Sequence, residues 1–282
     1  MNKLAVITGA ASGMGNNAAI RLGGIYDILM TDINKDSLEV EAQTLRDRGI
    51  TVYTFPCNVA NREQVTKLAE YATQCGTVGC VVHAAGIAPG PKAVAEQIFT
   101  INAMGTAYMT EAFFPVLDQG GVMINVASMS SYMSTGHVPY DLLRLNPFQP
   151  EFLEKNLVVF SAMEAAQAPG FAYLVSKHFV RDYTARNAMR FGKRGVRILS
   201  ISPGNIMTPM YFNEVKDSCD SMLPQTPIGR HGKPEEISDL IAFLVSSQAA
   251  FITGIDVLCD GGCVAGMTMD QVTESLFIPP LA

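Results

Sequence analysis

The sequence predicts an α/β fold, a single doubly wound domain built on a seven-stranded parallel sheet with helices on both faces. Three observations lead there. Short apolar runs alternate with longer amphipathic stretches, a glycine-rich turn joins the first run to the first amphipathic stretch, and neither an internal repeat nor a Pro/Ser linker interrupts residues 1–282. A chain of 282 residues buries enough surface to hold together without disulfides or metal. With 48% hydrophobic and 16% charged residues, intrinsic disorder is excluded.

The first strand is expected at Leu4 to Thr8, a short continuous apolar run of the kind that is covered on both faces. The pattern recurs at Asp27 to Asp32, Thr51 to Phe55, Gly79 to Ala84, Val122 to Ala127, Val196 to Ser202 and Ile255 to Leu258. Helical spacing of apolar residues covers Met14 to Leu22, Lys35 to Arg48, Arg62 to Gln74, Ala93 to Leu117, Ala172 to Phe191 and Pro234 to Ser246. The last opens on Pro234-Glu235-Glu236, an early proline and acids that suit a helix N-terminus. Two stretches exceed this alternation. Residues 130–169 read as an insertion carrying Phe148, Phe152, Leu153, Leu157 and Phe160 between prolines, and residues 205–232 as a substrate loop with Met210, Tyr211, Phe212 and Met222. Both follow strand ends, where open α/β sheets bind ligands. A tail, 264–282, closes the chain.

Net charge is −6, with 20 basic against 26 acidic side chains, so a phosphate-backbone binder is disfavoured and no nucleic-acid partner is expected. Six scattered cysteines without a C-x-x-C pair read as reduced thiols. The amino end lacks a signal peptide's apolar stretch, and no apolar run reaches the roughly 18 residues that span a bilayer. A soluble, cytoplasmic protein without membrane association or bound metal is the expectation.

The turn Thr8-Gly9-Ala10-Ala11-Ser12-Gly13-Met14-Gly15 lies between the first strand and first helix, where glycines admit a pyrophosphate to backbone N–H groups and a helix N-terminus. Asp32 ends the second strand, placed to accept hydrogen bonds from adenosine ribose hydroxyls and to repel a 2′-phosphate. NAD is therefore expected over NADP; the alternative role of Asp32 is to cap the next helix. Tyr173 and Lys177 stand four residues apart, on one helix face. A cation beside a phenol stabilises phenolate, so Tyr173 is the candidate acid/base and Lys177, with an oxidised nicotinamide, the source of the field. Ser128 closes the strand from Val122 and can hydrogen-bond a substrate oxygen.

Together these motifs resemble the short-chain dehydrogenase/reductase family, over nearly the whole chain. Its T-G-x-x-x-G-x-G turn is matched by Thr8 to Gly15, its helix asparagine by Asn102, its strand-end serine by Ser128, its Y-x-x-x-K by Tyr173 to Lys177, and its P-G-x-x-x-T by Pro203 to Thr208. The resemblance implies a Rossmann-type sheet and a dinucleotide held by Gly9, Ser12, Gly13, Met14, Gly15, Asp32, Asn58, Val59, Ala85, Gly86, Tyr173, Lys177, Pro203, Gly204, Ile206 and Thr208. It further implies that Asn102 holds a water relaying protons through Lys177. Pairing of the two long helices between subunits, in a homodimer or homotetramer, is inherited in the same way.

There are departures. The family's N-N-A-G reads His83-Ala84-Ala85-Gly86, with His83 expected to be structural, and its usual aspartate is Asn58, whose amide oxygen can still accept from adenine. The 45 positions from Ser128 to Tyr173 far exceed the family's spacing. That feature resembles bacterial 3α-hydroxysteroid dehydrogenase/carbonyl reductases, whose extra segment borders the substrate; contact within an oligomer is the alternative. Met129, Met133, Met163, Met207 and Met210 flank the expected cleft and suit an accommodating apolar pocket. The expectation is an NAD(H)-dependent oxidoreductase interconverting a secondary alcohol and a ketone on a bulky apolar substrate, a hydroxysteroid or bile acid first. Another lipophilic alcohol or carbonyl compound comes second, and an NAD-sensing binding protein is the non-enzymatic alternative.

Overall fold

The computed structural model describes residues 2–133 and 138–267. Its elements run β1 (Leu4–Thr8), α1 (Gly13–Leu22), β2 (Asp27–Thr31), α2 (Lys35–Asp47), β3 (Val52–Thr54), α3 (Arg62–Cys75) and β4 (Val78–His83). They continue with α4 (Ala95–Phe99), α5 (Gly105–Phe113), β5 (Val122–Val126), α6 (Tyr140–Leu143), α7 (Pro150–Ser161), α8 (Ala168–Gly192), β6 (Arg197–Pro203), α9 (Lys216–Ser221), α10 (Pro234–Val245) and β7 (Asp256–Cys259). The strands form one parallel sheet of seven, ordered β3-β2-β1-β4-β5-β6-β7. Every expected strand is present to within a residue at each end. Of the tail, residues 264–267 are helical and the remainder lies outside the described residues.

Side chains alternate across each strand, so one run serves two cores. Ala5 and Ile7 of β1 pack with Ala18, Leu22, Leu38 and Ile241 on one face; Leu4 and Val6 pack with Val65, Leu68, Phe113 and Phe191 on the other. Helix starts are fixed locally. Asn34 and Asn61 accept from the N–H groups of Ser37 and Gln64, capping α2 and α3, and α10 opens on Pro234 with the Glu236 carboxylate accepting from the Lys233 N–H.

Two helices depart from expectation. The stretch expected as one helix from Ala93 to Leu117 is α4 and α5 joined by a π-turn at Thr100–Met104, because the Asn102 side chain bonds the backbone of Ile87 and the widened turn accommodates it. Helix α8 starts at Ala168 rather than Ala172, since a proline in the first turn forfeits no helical hydrogen bond.

The insertion folds as α6 and α7, and its apolar partner is the chain itself. Phe152, Asn156 and Phe160, each four apart, are the buried face of α7. Phe152 meets Phe99 and Phe179 with ring centroids 5.7 and 5.1 Å apart, and Phe160 meets Phe99 at 5.3 Å. Helix α7 thus packs across α4 and α8, the helices that the resemblance assigns to subunit pairing, and part of their outward surface is internal. Helix α8 is buried all round from Leu174 to Val180.

Replacing Phe152 with Ala empties the centre of this aromatic cluster and is expected to cost about 3–5 kcal/mol in denaturant unfolding. A loss below about 1 kcal/mol would place α7 outside the core.

Candidate active site

The strand order reverses at β1, whose neighbours are β2 and β4, and the chain ends of all three strands align there: Thr8 pairs with Thr31 and with His83. Two adjoining cavities open at this edge. The first, about 260 Å³, is lined by Gly9, Ser12, Gly13, Met14 and Gly15 of the turn, by Asp32, Asn58, Val59, Ala85 and Gly86, and by Thr208. The second, also about 260 Å³, is lined by Ser128, Tyr173, Pro203, Gly204 and Ile206, with Met14, Thr208 and Met210 shared between them.

The first cavity fits a dinucleotide. Gly9 and Gly13 take φ of +66° and +56°, and a Cβ on Gly15 would stand 2.2 Å from the Gly9 carbonyl oxygen, so helix α1 begins hard against the strand end. Ser12, the residue before α1, has an extended backbone and makes no capping bond, which leaves its hydroxyl and the helix N-terminus for an anion. The Asp32 carboxylate accepts from the N–H groups of Ala11 at 3.2 Å and Asn34 at 3.0 Å. Asp32 is not the helix cap, which is Asn34. The Asn58 amide oxygen already accepts from the Ala60 N–H at 3.0 Å, so one of its lone pairs is committed.

Helix α8 carries Tyr173 and Lys177 on one face against β5. The Lys177 Nζ donates to the Val126 carbonyl at 3.0 Å and lies 5.7 Å from the Tyr173 ring centroid. Deeper along the helix, Asn125 of β5 donates to Thr184 at 2.9 Å, tying helix to strand. Burial pushes the Lys177 ammonium down to about 8. It also holds the Tyr173 phenol above its ordinary value, although the Ser128 hydroxyl beside it pulls the other way. In the chain alone the phenol thus stands above its ordinary value, set first by its removal from water; the expected lowering belongs to Lys177 acting together with a bound oxidised nicotinamide.

Asn102 is buried, and its amide makes a two-way bond to Ile87, accepting from its N–H and donating to its carbonyl, each at 3.0 Å, with a further bond to Ser176 at 3.3 Å. Its side chain is committed to the loop after β4. A Cβ on Gly86 would meet the Asn102 Oδ1 at 3.0 Å and the Lys177 Nζ at 3.5 Å, so only glycine leaves room between them. His83 is structural: its Nδ1 is 2.8 Å from the Thr8 hydroxyl, and burial pushes its imidazole down to about 3, so it stays neutral.

The second cavity is apolar, with Met129, Met133, Met210, Met222, Val215 and Pro89 on its walls. Met163 and Met207 line neither cavity. Of the insertion, only Ser130 and Met133 among the described residues reach this cavity; Phe148, Phe152 and Phe160 turn instead toward α4, α5 and α8. Sequence reasoning missed Ile33, Ile87, Ile101 and Cys57 in the first cavity and Ala88, Pro89 and Cys219 in the second. Their signal was adjacency, since Ile33 follows Asp32, Cys57 precedes Asn58, and Ile87 to Pro89 follow Gly86. Among the described residues no His, Cys, Asp and Glu cluster suits a metal, and no helix is long and apolar enough to cross a membrane.

Two family models match the chain: short chain dehydrogenase over residues 3–140, and enoyl-(acyl carrier protein) reductase over residues 156–264. Among curated proteins it is 28% identical to a short-chain dehydrogenase/reductase of Alternaria brassicicola, over 96% of this chain and 99% of that one. It is 30% identical to 3beta-hydroxysteroid dehydrogenase 2 of Eggerthella lenta, over 92% and 93%. Among solved structures, levodione reductase superposes with a TM-score of 0.76 at 24% identity, over 93% of this chain and 98% of that one. With this sheet order, this strand-end turn and these matches end to end, the chain belongs to the short-chain dehydrogenase/reductase family, oxidoreductases that bind a nicotinamide cofactor.

Proposed function

We propose that the protein is an NAD(H)-dependent oxidoreductase that interconverts a secondary alcohol and a ketone on an apolar cyclic substrate, a hydroxysteroid first. The observation that carries this reading is the placing of Ser128 and Tyr173, with Lys177 5.7 Å from the phenol ring centroid, where a glycine-lined cavity joins an apolar one. When bound, the nicotinamide accepts or donates hydride. Tyr173 takes the hydroxyl proton in oxidation and returns it in reduction. Ser128 has one hydroxyl hydrogen, which it gives to the phenol oxygen in the chain alone and to the substrate oxygen once substrate is bound. Lys177 holds its charge beneath the phenol, anchored on Val126. Asn102 fixes the Ile87 loop, and Gly86 keeps the space between Asn102 and Lys177 open for a relayed water. Val59, Pro203, Gly204, Ile206 and Thr208 shape the walls on which the cofactor rests, and Asp32 selects the unphosphorylated ribose.

The steroid reading rests on the methionine-lined cavity, which adapts to a large rigid skeleton, and on the 30% identity to a hydroxysteroid dehydrogenase. The volume of about 260 Å³ supports a second reading, a single-ring alcohol, because it falls just short of the roughly 300–1,000 Å³ of pockets for drug-sized ligands. In the steroid reading the reacting ring fills the cavity and the others lie across its mouth. Free thiols on all six cysteines suit a reducing cytoplasm. For subunit association the exposed Phe243 and Ile255, near edge strand β7, offer the apolar surface that α7 removes from α4 and α8.

Tyr173→Phe should abolish turnover, at least about 100-fold in kcat, while NADH affinity stays within a factor of about three. In the unmodified enzyme alcohol oxidation should rise with pH, since the base is a phenolate whose buried phenol stands high; turnover retained by the variant removes Tyr173 as the acid/base. Binding of NADH should exceed that of NADPH by about tenfold or more, and Asp32→Ala should narrow the gap; an original preference for NADPH would contradict the role of Asp32. With NADH, a 3-ketosteroid should exceed cyclohexanone in kcat/KM by at least about tenfold, chiefly through KM; the reverse order would select the single-ring reading.

A further inference from the structure

One turn beyond Lys177, on the same face of α8 as Tyr173, stands Arg181. Its guanidinium donates to the Ser131 carbonyl at 2.6 Å and to the Ser131 hydroxyl at 3.3 Å, and lies over the Tyr132 ring with 3.6 Å to the centroid. Both partners belong to the turn Met129–Tyr132 that begins immediately after Ser128. Ser131, wholly buried, passes the contact on by donating its hydroxyl to the Ser128 carbonyl at 2.7 Å, while the Ser128 hydroxyl accepts from the Ser130 N–H at 3.2 Å.

The far end of the turn is pinned by a carboxylate from β7. Asp256 accepts from the Tyr132 hydroxyl at 2.8 Å and from the Ser200 hydroxyl of β6, and its carboxylate lies 3.7 Å from the Arg181 guanidinium. The Asp256 side chain is 7% exposed, so this is a carboxylate withdrawn from water and answered by two hydroxyls and a cation. Four elements, the turn, α8, β6 and β7, meet on these side chains. The groups that touch the turn after Ser128 thus also join α8 to the sheet edge, beside the Lys177–Val126 and Asn125–Thr184 bonds.

We propose that Arg181 is a positioning residue, which with Asp256 and Tyr132 clamps the turn carrying Ser128 against the helix carrying Tyr173 and so sets the approach of the Ser128 hydroxyl to the phenol. It touches neither cavity and acts through Ser128 alone. Displacement of a reacting group by about 1 Å can cost on the order of 100-fold in rate, and the clamp is what opposes such a displacement. The inference rests on the reading of Ser128 and Tyr173 as the reacting pair.

The test is a cycle of Arg181→Met, Ser128→Ala and the double variant, with NAD and either cyclohexanol or a 3-hydroxysteroid, whichever the unmodified enzyme oxidises faster. Arg181→Met should lower kcat by about 10- to 100-fold with KM and NADH affinity within about threefold. The double variant should be no slower than Ser128→Ala alone, because Arg181 has nothing to position once that hydroxyl is gone. Multiplied losses in the double variant, or unchanged kcat in Arg181→Met, would overturn the proposal. Arg181→Lys, which keeps the charge but not the planar group that stacks on Tyr132, should recover only part of the rate. Tyr132→Phe, which preserves the ring and deletes one bond to Asp256, gives a milder version of the same defect if Arg181→Met folds poorly.

A readout independent of turnover separates this inference from the functional one. The Tyr173 phenol is titrated as the ultraviolet difference between the protein and its Tyr173→Phe variant. Facing that phenol are Ser128 from the clamped turn, Lys177 from α8 and Cys219 from α9. Loosening the clamp should move the titration to higher pH by weakening the Ser128 contact, and Arg181→Met should match Ser128→Ala in direction. A titration unmoved by Arg181→Met defeats the clamp even if no substrate is oxidised, whereas a clamp effect on the phenol without any turnover would defeat the oxidoreductase reading and leave the clamp standing.

Discussion

The bond from the Lys177 ammonium to the Val126 carbonyl, 3.0 Å long and shut away from water, couples the long helix α8 to the carboxyl edge of the sheet. A cation in such a place is costly unless a polar group answers it, and here the answer is the last carbonyl of the strand that ends beside Ser128. Everything chemical follows from that anchorage. One turn toward the amino end it presents Tyr173 to the apolar cavity, and one turn the other way it presents Arg181 to the segment that follows Ser128. The helix itself is held by burial on both sides, with the sheet beneath and α4 and α7 above.

The electrostatics of this arrangement are unfinished in the chain by itself. Burial raises the phenol and lowers the ammonium, each toward its neutral form, and the two oppose the charge separation that proton abstraction requires. A positively charged nicotinamide in the adjoining cavity would favour the phenolate, and the proposed function therefore ties formation of the base to the arrival of the cofactor.

Much of the fold was legible because its signals are local. Seven short apolar runs and the glycines from Gly9 to Gly15 each state their own geometry. The spacing of Tyr173 and Lys177 likewise fixes their shared face. What escaped was tertiary. The apolar periodicity of Ile98, Phe99, Ala103 and Met104 runs through the π-turn without marking it, since a single widened turn barely alters the pattern. Phe152 and Phe160 were equally compatible with a ligand, a second subunit or the chain's own helices, and only the placement of Phe99 and Phe179 decides among them. Arg181 carries no local signal, because its partners Ser131 and Asp256 lie 50 and about 75 positions away. The burial that raises the phenol in the chain alone is likewise illegible in sequence: spacing reports the nearness of a cation, whereas burial is a property of the whole packing.

The central claim is that the buried phenol becomes a usable base only when a positive charge joins that of Lys177. It is tested most directly by measuring the ionisation of Tyr173 in the protein saturated with NAD and again with NADH, the two differing by the charge on the nicotinamide ring. The account predicts ionisation at distinctly lower pH with the oxidised cofactor; the same titration with both would contradict it.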